Sequence, residues 1–383
     1  MTYTYLNTAA ASVPPQQVVD TMVAYLQKTA TVGPYLPAFR RDIYAKVDAI
    51  RETAAAFIGA AREEIAFAKN GTEGINMIAS GIRWHEGDEV ILADLEFHSN
   101  YVPWKRLAEQ GKIKLVVLRT DASGVISIRQ LEQLITPRTR LITVSHLPNA
   151  SGALQPIQEI CDMASRKGIL TLVNASQTLG LVPLDMRALP CDFLVACGRK
   201  WLRGPEGSGI VFIRKAQIES ITPAFTGWGG TTWDFQTNEI SFLSTAKRLE
   251  AGCPIIPSIL GLGTALEVAQ EAGVAAIYRR VKHLTSFTLE KLRTIPGVEI
   301  YGPQDETDRL AIIPFNIKGV SPDAITAFLE RHAVIIEAGT FMANTLLQQY
   351  GIERMARISP HYFNTEQEIE RAIALIRLML AEA

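Results

Sequence analysis

The stretches with the clearest chemical potential are Asn174-Ala-Ser-Gln177 and, twenty residues further on, Gly198-Arg-Lys-Trp201. Both fall at or just beyond short apolar runs that read as strands, and in open α/β sheets ligands bind outside the carboxyl ends of strands. An amine partly withdrawn from water has a lowered pKa, so Lys200 suits a Schiff base with a carbonyl cofactor. The plain alternative is that Lys200 is one solvated lysine among many, and spacing alone does not separate the two. Gly71-Thr72-Glu73 opens a helix-like segment running to Ile82. A helix N-terminus with free N–H groups and a hydroxyl suits a phosphate, although an ordinary threonine N-cap is the commoner origin of such a sequence. The turn Gly204-Pro-Glu-Gly-Ser-Gly209 adds little by itself.

The elements that must position these residues alternate in type. Strands are expected at 65–69, 89–93, 114–119, 140–145, 170–174, 193–197 and 209–213. Most are β-branched or leucine-rich without alternation, as in strands covered on both faces. Helical patterns at 101–110, 128–135 and 157–167 lie between them, with Ser127 as an N-cap and Gly168 as a C-cap signal. This spacing predicts βαβ units and a mostly parallel sheet. The last strand follows its predecessor too closely for a crossover helix, which suggests antiparallel pairing at an edge. Residues 223–250, rich in Gly, Thr, Trp and Asn, read as a long irregular loop. Two long helices are expected at 259–272 and 274–295. An α+β tail follows, with strands at 310–317, 333–337 and 354–359 and helices at 322–331, between the last two strands, and at 366–382. The expected organisation is a large α/β domain over 15–255 and a smaller domain built from 1–14 and 256–383, with the first dozen residues docked near the site.

Composition narrows the function classes. Apolar residues are 48% of the 383, which excludes intrinsic disorder. Lys plus Arg number 38 against 39 Asp plus Glu, so no basic face for nucleic acid is expected. Cys161, Cys191, Cys197 and Cys253 form neither a CxxC nor a zinc spacing, and four in so long a chain make no disulfide scaffold. They suggest a reducing compartment. The N-terminus does not read as a signal peptide and no apolar run is long enough to span a membrane. A cytoplasmic protein with no membrane partner is the expectation.

Taken in order, the segments resemble the class V aminotransferase family of pyridoxal-phosphate enzymes, which includes cysteine desulfurases, cysteine and cystine C–S lyases and isopenicillin N epimerases. The resemblance runs from Tyr5-Leu-Asn-Thr-Ala-Ala10 through Asn70-Gly-Thr-Glu-Gly74, Glu96-Phe-His-Ser-Asn100 with Val102-Pro-Trp104, and Ser145-His-Leu-Pro-Asn149. It continues with Gly198-Arg-Lys-Trp201, Arg248-Leu-Glu-Ala-Gly252 and Arg357-Ile-Ser-Pro-His-Tyr-Phe-Asn-Thr365. It implies fold type I, with a mostly parallel seven-stranded sheet and a smaller α+β C-terminal domain. Lys200 would be the Schiff-base lysine and the proton shuttle at Cα. Gly71 and Thr72 would hold the cofactor phosphate, with Arg199 at a position often filled by histidine and Cys197 where a serine is common. Asn149 and Gln177 would face the 3′-oxygen side of the ring, and Phe97 would stack on its face where desulfurases have a histidine. His98, next in line, points elsewhere by register. Arg357 would pair bidentately with the substrate α-carboxylate. Segment Arg248–Gly252 would reach the neighbouring subunit's site, which implies a homodimer, and Cys253 stands where a phosphate-side hydroxyl residue is usual.

Three departures bear on the reaction. Asn174 stands where the family has an aspartate facing the pyridine nitrogen. An amide cannot hold that proton by charge, so transamination should suffer more than loss of a good β-leaving group. In the stretch 337–344, where desulfurases carry their nucleophilic cysteine, there is none, and Met342 lies near the expected place. Glu337 stands where desulfurases have a second arginine near the substrate, unless it simply faces solvent. The favoured reading is a C–S lyase working by β-elimination on a cysteine, cystine or cysteine-sulfoxide type amino acid. The alternatives are an aminotransferase or amino-acid epimerase, and a catalytically impaired pyridoxal-phosphate-binding protein.

Overall fold

A computed structural model describes residues 3–382. Seven strands form the main sheet in the order Ile65–Ala68, Gly209–Ile213, Phe193–Cys197, Leu170–Asn174, Thr139–Ser145, Glu89–Ala93 and Lys114–Leu118. The last five are mutually parallel. Their apolar runs split by parity between two cores: Ile91, Ala93, Leu194 and Ala196 enter one, and Val90, Leu92, Phe193 and Val195 the other. Side chains that alternate across a sheet buried on both faces produce this partition, and it explains why the strands show no polar alternation.

Gly209–Ile213 is antiparallel to its neighbours, as the short connection requires, but it does not lie at the edge. Ile65–Ala68 pairs outside it and takes the edge position. Helices Gln16–Val32 and Pro37–Phe57, which no sequence feature singled out, pack against Ile256–Ala272.

A separate antiparallel sheet joins Val298–Ile300, Ile313–Ile317, Met355–Ile358 and Glu337–Gly339. Helices Val274–Arg293, Pro322–Arg331 and Glu366–Glu382 cover it around a core that includes Leu284, Phe315, Leu329 and Ile373. The single strand expected over 333–337 is broken in two. Val334–Ile335 pairs with Thr4–Tyr5, while Glu337–Gly339 turns to Met355–Ile358. That break places Glu337 directly across from Arg357. The expected irregular loop 223–250 instead carries a hairpin, Thr231–Asp234 with Glu239–Phe242, whose Trp233, Phe235 and Ile240 are exposed. Among the described residues no helix is long and apolar enough to cross a membrane.

Candidate active site

The parallel register aligns Ser145 with Asn174 and Asn174 with Val195, so the carboxyl ends of three central strands deliver Ser145, Asn174 and Cys197 to one rim. Lys200 follows the third strand on the turn Gly198–Gly204, closed by the Gly204 N–H donating to the Gly198 carbonyl at 2.8 Å. Gly71, Thr72, Phe97, Asn149, Asn174, Gln177, Cys197 and Arg199 line a single cavity with Lys200. Glu337 and Arg357 lie in an adjoining depression that shares Phe97, Asn149, Arg199 and Lys200. His98 is exposed and lines neither.

Cys253 is not brought to Lys200 within the chain. It faces a separate hollow with Lys69, Glu73 and Met77. Arg248 turns inward, with Nη1 donating to the Ile218 carbonyl and Nε to the Leu243 carbonyl. Glu250 accepts both Nη groups of Arg51, at 2.5 and 3.0 Å, together with the Phe67 N–H. These two side chains anchor the segment, leaving Gly252 and Cys253 exposed.

Helix Gly71–Gly81 is capped by Asn70, whose Oδ1 accepts the Glu73 N–H at 2.9 Å. Thr72 is thereby not the cap; its hydroxyl is 2.6 Å from Ser99 Oγ beside the cavity. Gln177 is fixed at both ends: Nε2 donates to the Ala9 carbonyl and Oε1 accepts Trp201 Nε1–H at 2.8 Å. Asn174 donates from Nδ2 to Ser145 Oγ at 3.2 Å and accepts the Ser176 N–H on Oδ1. Cys197 Sγ rests 3.7 Å from the Ser176 carbonyl. Arg199 makes only a 3.5 Å contact with exposed Glu206, too weak and solvated to hold it.

Lys200 has its ammonium pKa lowered, first by burial; Cys197 pulls against that, the positive charges of Arg199 and Arg357 add to it, and Glu337 opposes. Arg357 is 2% exposed. Its Nη1 donates to the Asn149 carbonyl at 2.9 Å, and its Nη2 to Asn7 Oδ1 at 3.2 Å and Glu337 Oε2 at 2.5 Å. Burial pushes it down to about 10 despite Glu337. Phe341 lies under its guanidinium at 4.2 Å, at the start of a loop where Phe341 and Met342 both adopt positive φ. Two consecutive non-glycine residues in that region are costly and persist only where the surrounding structure holds them.

Sequence reasoning did not single out Glu96, Ser145 or Asn7. Glu96 is fully enclosed. Its carboxylate accepts the Ser145 N–H at 2.6 Å, Ser145 Oγ–H at 2.5 Å and Asn100 Nδ2–H at 2.8 Å. Burial pushes its carboxyl up to about 7 against those bonds. A glutamate immediately before Phe97 in a quoted motif was the available signal, but nothing in its sequence neighbourhood showed that its partner lay 49 residues away.

These residues fit pyridoxal phosphate. A Cβ on Gly71 would lie 2.5 Å from Ser176 Oγ, so glycine keeps open the space at the helix N-terminus. Free N–H groups, Thr72 and Arg199 suit a phosphate there. Asn149 Oδ1 is buried without a hydrogen-bond partner beside Lys200, a position for a polar group of a ligand. Phe97 supplies an aromatic face, and Lys200 an amine.

Comparison with known proteins agrees. The sequence profile of the family described as Aminotransferase class-V matches residues 4–372. A cysteine desulfurase of Cronobacter sakazakii is 32% identical over 380 residues, covering 98% of this chain and 93% of that protein. The apo structure of a cysteine desulfurase from Thermococcus onnurineus NA1 superposes with a TM-score of 0.93 at 29% identity, covering 100% of this chain and 95% of that one. A cystine C–S lyase in complex with cysteine persulfide shares the fold at a TM-score of 0.87 and 24% identity, covering 97% of this chain and 96% of that chain. The chain belongs to the class V aminotransferase family of pyridoxal-phosphate-dependent enzymes.

Proposed function

We propose that the protein cleaves the Cβ–S bond of a cysteine-type amino acid by β-elimination, without a persulfide-carrying cysteine. The observation that carries this reading is the composition of the substrate side of the cavity. Lys200 and Arg357 are in place, while the loop beside them presents Phe341 and Met342 and no thiol. Cys161 and Cys191 are buried in the core, where burial raises both thiols, and Cys161 is pushed up to about 12. Relatives named as cysteine desulfurases support a sulfur amino acid as substrate.

Pyridoxal phosphate, when bound, supplies an electron sink for the pair left at Cα. Gly71 N–H, Thr72 and Arg199 would hold its phosphate, Phe97 its ring face, and Asn149 and Gln177 the oxygen edge. Arg357 binds the substrate α-carboxylate, exchanging Glu337 for it. Lys200, its pKa lowered, takes the Cα proton as an amine. The Cβ–S bond then breaks with its electron pair on sulfur, which takes up a proton and leaves as a thiol, persulfide or sulfenic acid according to the substrate. The remaining three-carbon unsaturated amine takes up one water to give pyruvate and ammonia. The docked N-terminal segment is held beside the cavity by Gln177 at Ala9 and Arg357 at Asn7.

We further infer a homodimer in the cytoplasm. The exposed aromatic hairpin beside the anchored segment ending at Gly252 supports the contact, and four free cysteines support a reducing compartment. Two features favour a second reading, a protein that binds the cofactor with little turnover: Asn174 offers an amide and Arg357 is already occupied by Glu337. Incubation with cystine, cysteine and a cysteine-sulfoxide conjugate decides between the two. Pyruvate released with sulfur in equal amounts supports the lyase. Accumulation of the pyridoxamine form instead marks an aminotransferase, and no product from any of the three marks the impaired binder.

A further inference from the structure

The chain from Glu96 through Ser145 to Asn174 has a direction that chemistry fixes. Ser145 Oγ has one proton. Asn174 Nδ2 donates to that oxygen at 3.2 Å, so the Ser145 proton is left for Glu96 Oε2 across their 2.5 Å contact, whatever share of Glu96 is ionised. The other end of the amide agrees, because the Ser176 N–H can only donate, and it meets Oδ1 at 3.1 Å. Both bonds set the same orientation of Asn174, with no freedom to flip. The strand pairing Ser145↔Asn174 holds the two side chains side by side, and Asn100 from the helix that follows Glu96 holds the carboxylate from the other side.

We propose that Glu96 is a positioning residue for the cofactor ring: through Ser145 it locks the Asn174 amide and delivers to it, across two hydrogen bonds, part of the negative charge that a carboxylate at position 174 would supply directly. The inference rests on the reading that Asn174 faces the ring nitrogen. The groups that touch Glu96 are neutral, Asn100 from the helix that follows it and Ser145 from the strand packed on it. The charged groups lining the same cavity, Lys200 and Arg199, are both cationic. Glu96 is therefore the carboxylate directly hydrogen-bonded to the cradle of Asn174. Burial of an acid with three donors and no ion pair is costly, which is the pattern of a group kept for what it does to its neighbours.

The test is the pH titration of visible absorbance in the holoprotein, a readout independent of turnover. Glu96→Gln keeps shape and removes charge. Its amide also donates to Ser145, which reverses the chain and frees Asn174 to flip. The apparent pKa of the absorbance change is expected to fall by up to about one unit, the effect of a unit charge roughly 10 Å away at an effective dielectric constant near 20, with the full shift above about pH 7 where Glu96 is ionised. Ser145→Ala, which breaks the chain while leaving Glu96 in place, should shift it in the same direction. The double variant should move it no further than Glu96→Gln alone. An unchanged titration in either single variant, with the cofactor bound, or a strictly additive double variant, overturns the proposal. If Glu96→Gln fails to fold, Ser145→Ala decides alone. Protein that folds and takes up no pyridoxal phosphate in any form, wild type included, would instead defeat the functional reading beneath it.

Discussion

Glu337 and Arg357 form a resting ion pair where the proposed function seats an amino-acid carboxylate, and Glu337→Gln tests what that pair costs. In the variant Arg357 keeps the Asn149 carbonyl at 2.9 Å and Asn7 Oδ1 at 3.2 Å, and the new amide oxygen can still accept one bond. What disappears is the excess of a charge-assisted bond over a neutral one, about 1–2 kcal/mol. The Glu337 side chain is 39% exposed, so water screens part of this and about 1 kcal/mol remains. The ligand-free protein should therefore lose about 1 kcal/mol of unfolding free energy in urea. An incoming α-carboxylate no longer has to part the pair, so an amino acid with an uncharged side chain should bind about fivefold more tightly by calorimetry. An amino acid with a distal ammonium should move the other way, because the freed Glu337 was its partner. Weaker binding of the uncharged ligand in Glu337→Gln, or no change in either ligand, would refute the exchange.

Two other outcomes follow from buried groups near the site. His361 accepts the Tyr362 N–H on Nδ1 and donates from Nε2 to the Trp201 carbonyl, and burial lowers its pKa to about 3; His146, also buried, is lowered to about 4. Below about pH 6.5 the unfolded chain gains protons that the fold refuses, so stability present above that pH falls as the pH drops toward 4. Glu96, raised from 4.5 to about 7, opposes this over the same range, so urea unfolding of Glu96→Gln should show the steeper fall; a flat profile in both would remove the assignment. Asn174→Asp places a carboxylate directly at the ring position and should speed exchange of the substrate Cα proton for deuterium by about tenfold or more, the effect of about one pKa unit of extra stabilisation. Equal exchange rates would show that the amide costs nothing.

The chemistry was most legible where it is local in sequence. The unalternating strands 89–93, 170–174 and 193–197 match the structure residue for residue because burial on both faces writes an apolar run. The turn carrying Lys200 could be placed at a strand end for the same reason. What could not be read depended on partners far along the chain. The edge position of Ile65–Ala68 is a matter of sheet order, which strand periodicity does not encode. Glu337 could be placed near the substrate or facing solvent from sequence, and only the broken strand sets it opposite Arg357. The hairpin within 223–250 was hidden because its two strands, exposed and only four residues each, bury too little to leave a pattern. Glu96 was invisible as a functional group because its role comes from a strand 49 residues away.

In the proposed function Lys200 is the amine that holds the cofactor and moves the proton. The direct measurement is reduction of the coloured holoprotein with borohydride, followed by mass spectrometry of its peptides. One pyridoxyl-phosphate adduct is expected, on Lys200, with Lys200→Ala unlabelled. An adduct on another lysine, or a wild-type protein that takes up pyridoxal phosphate and yields no adduct, would contradict it.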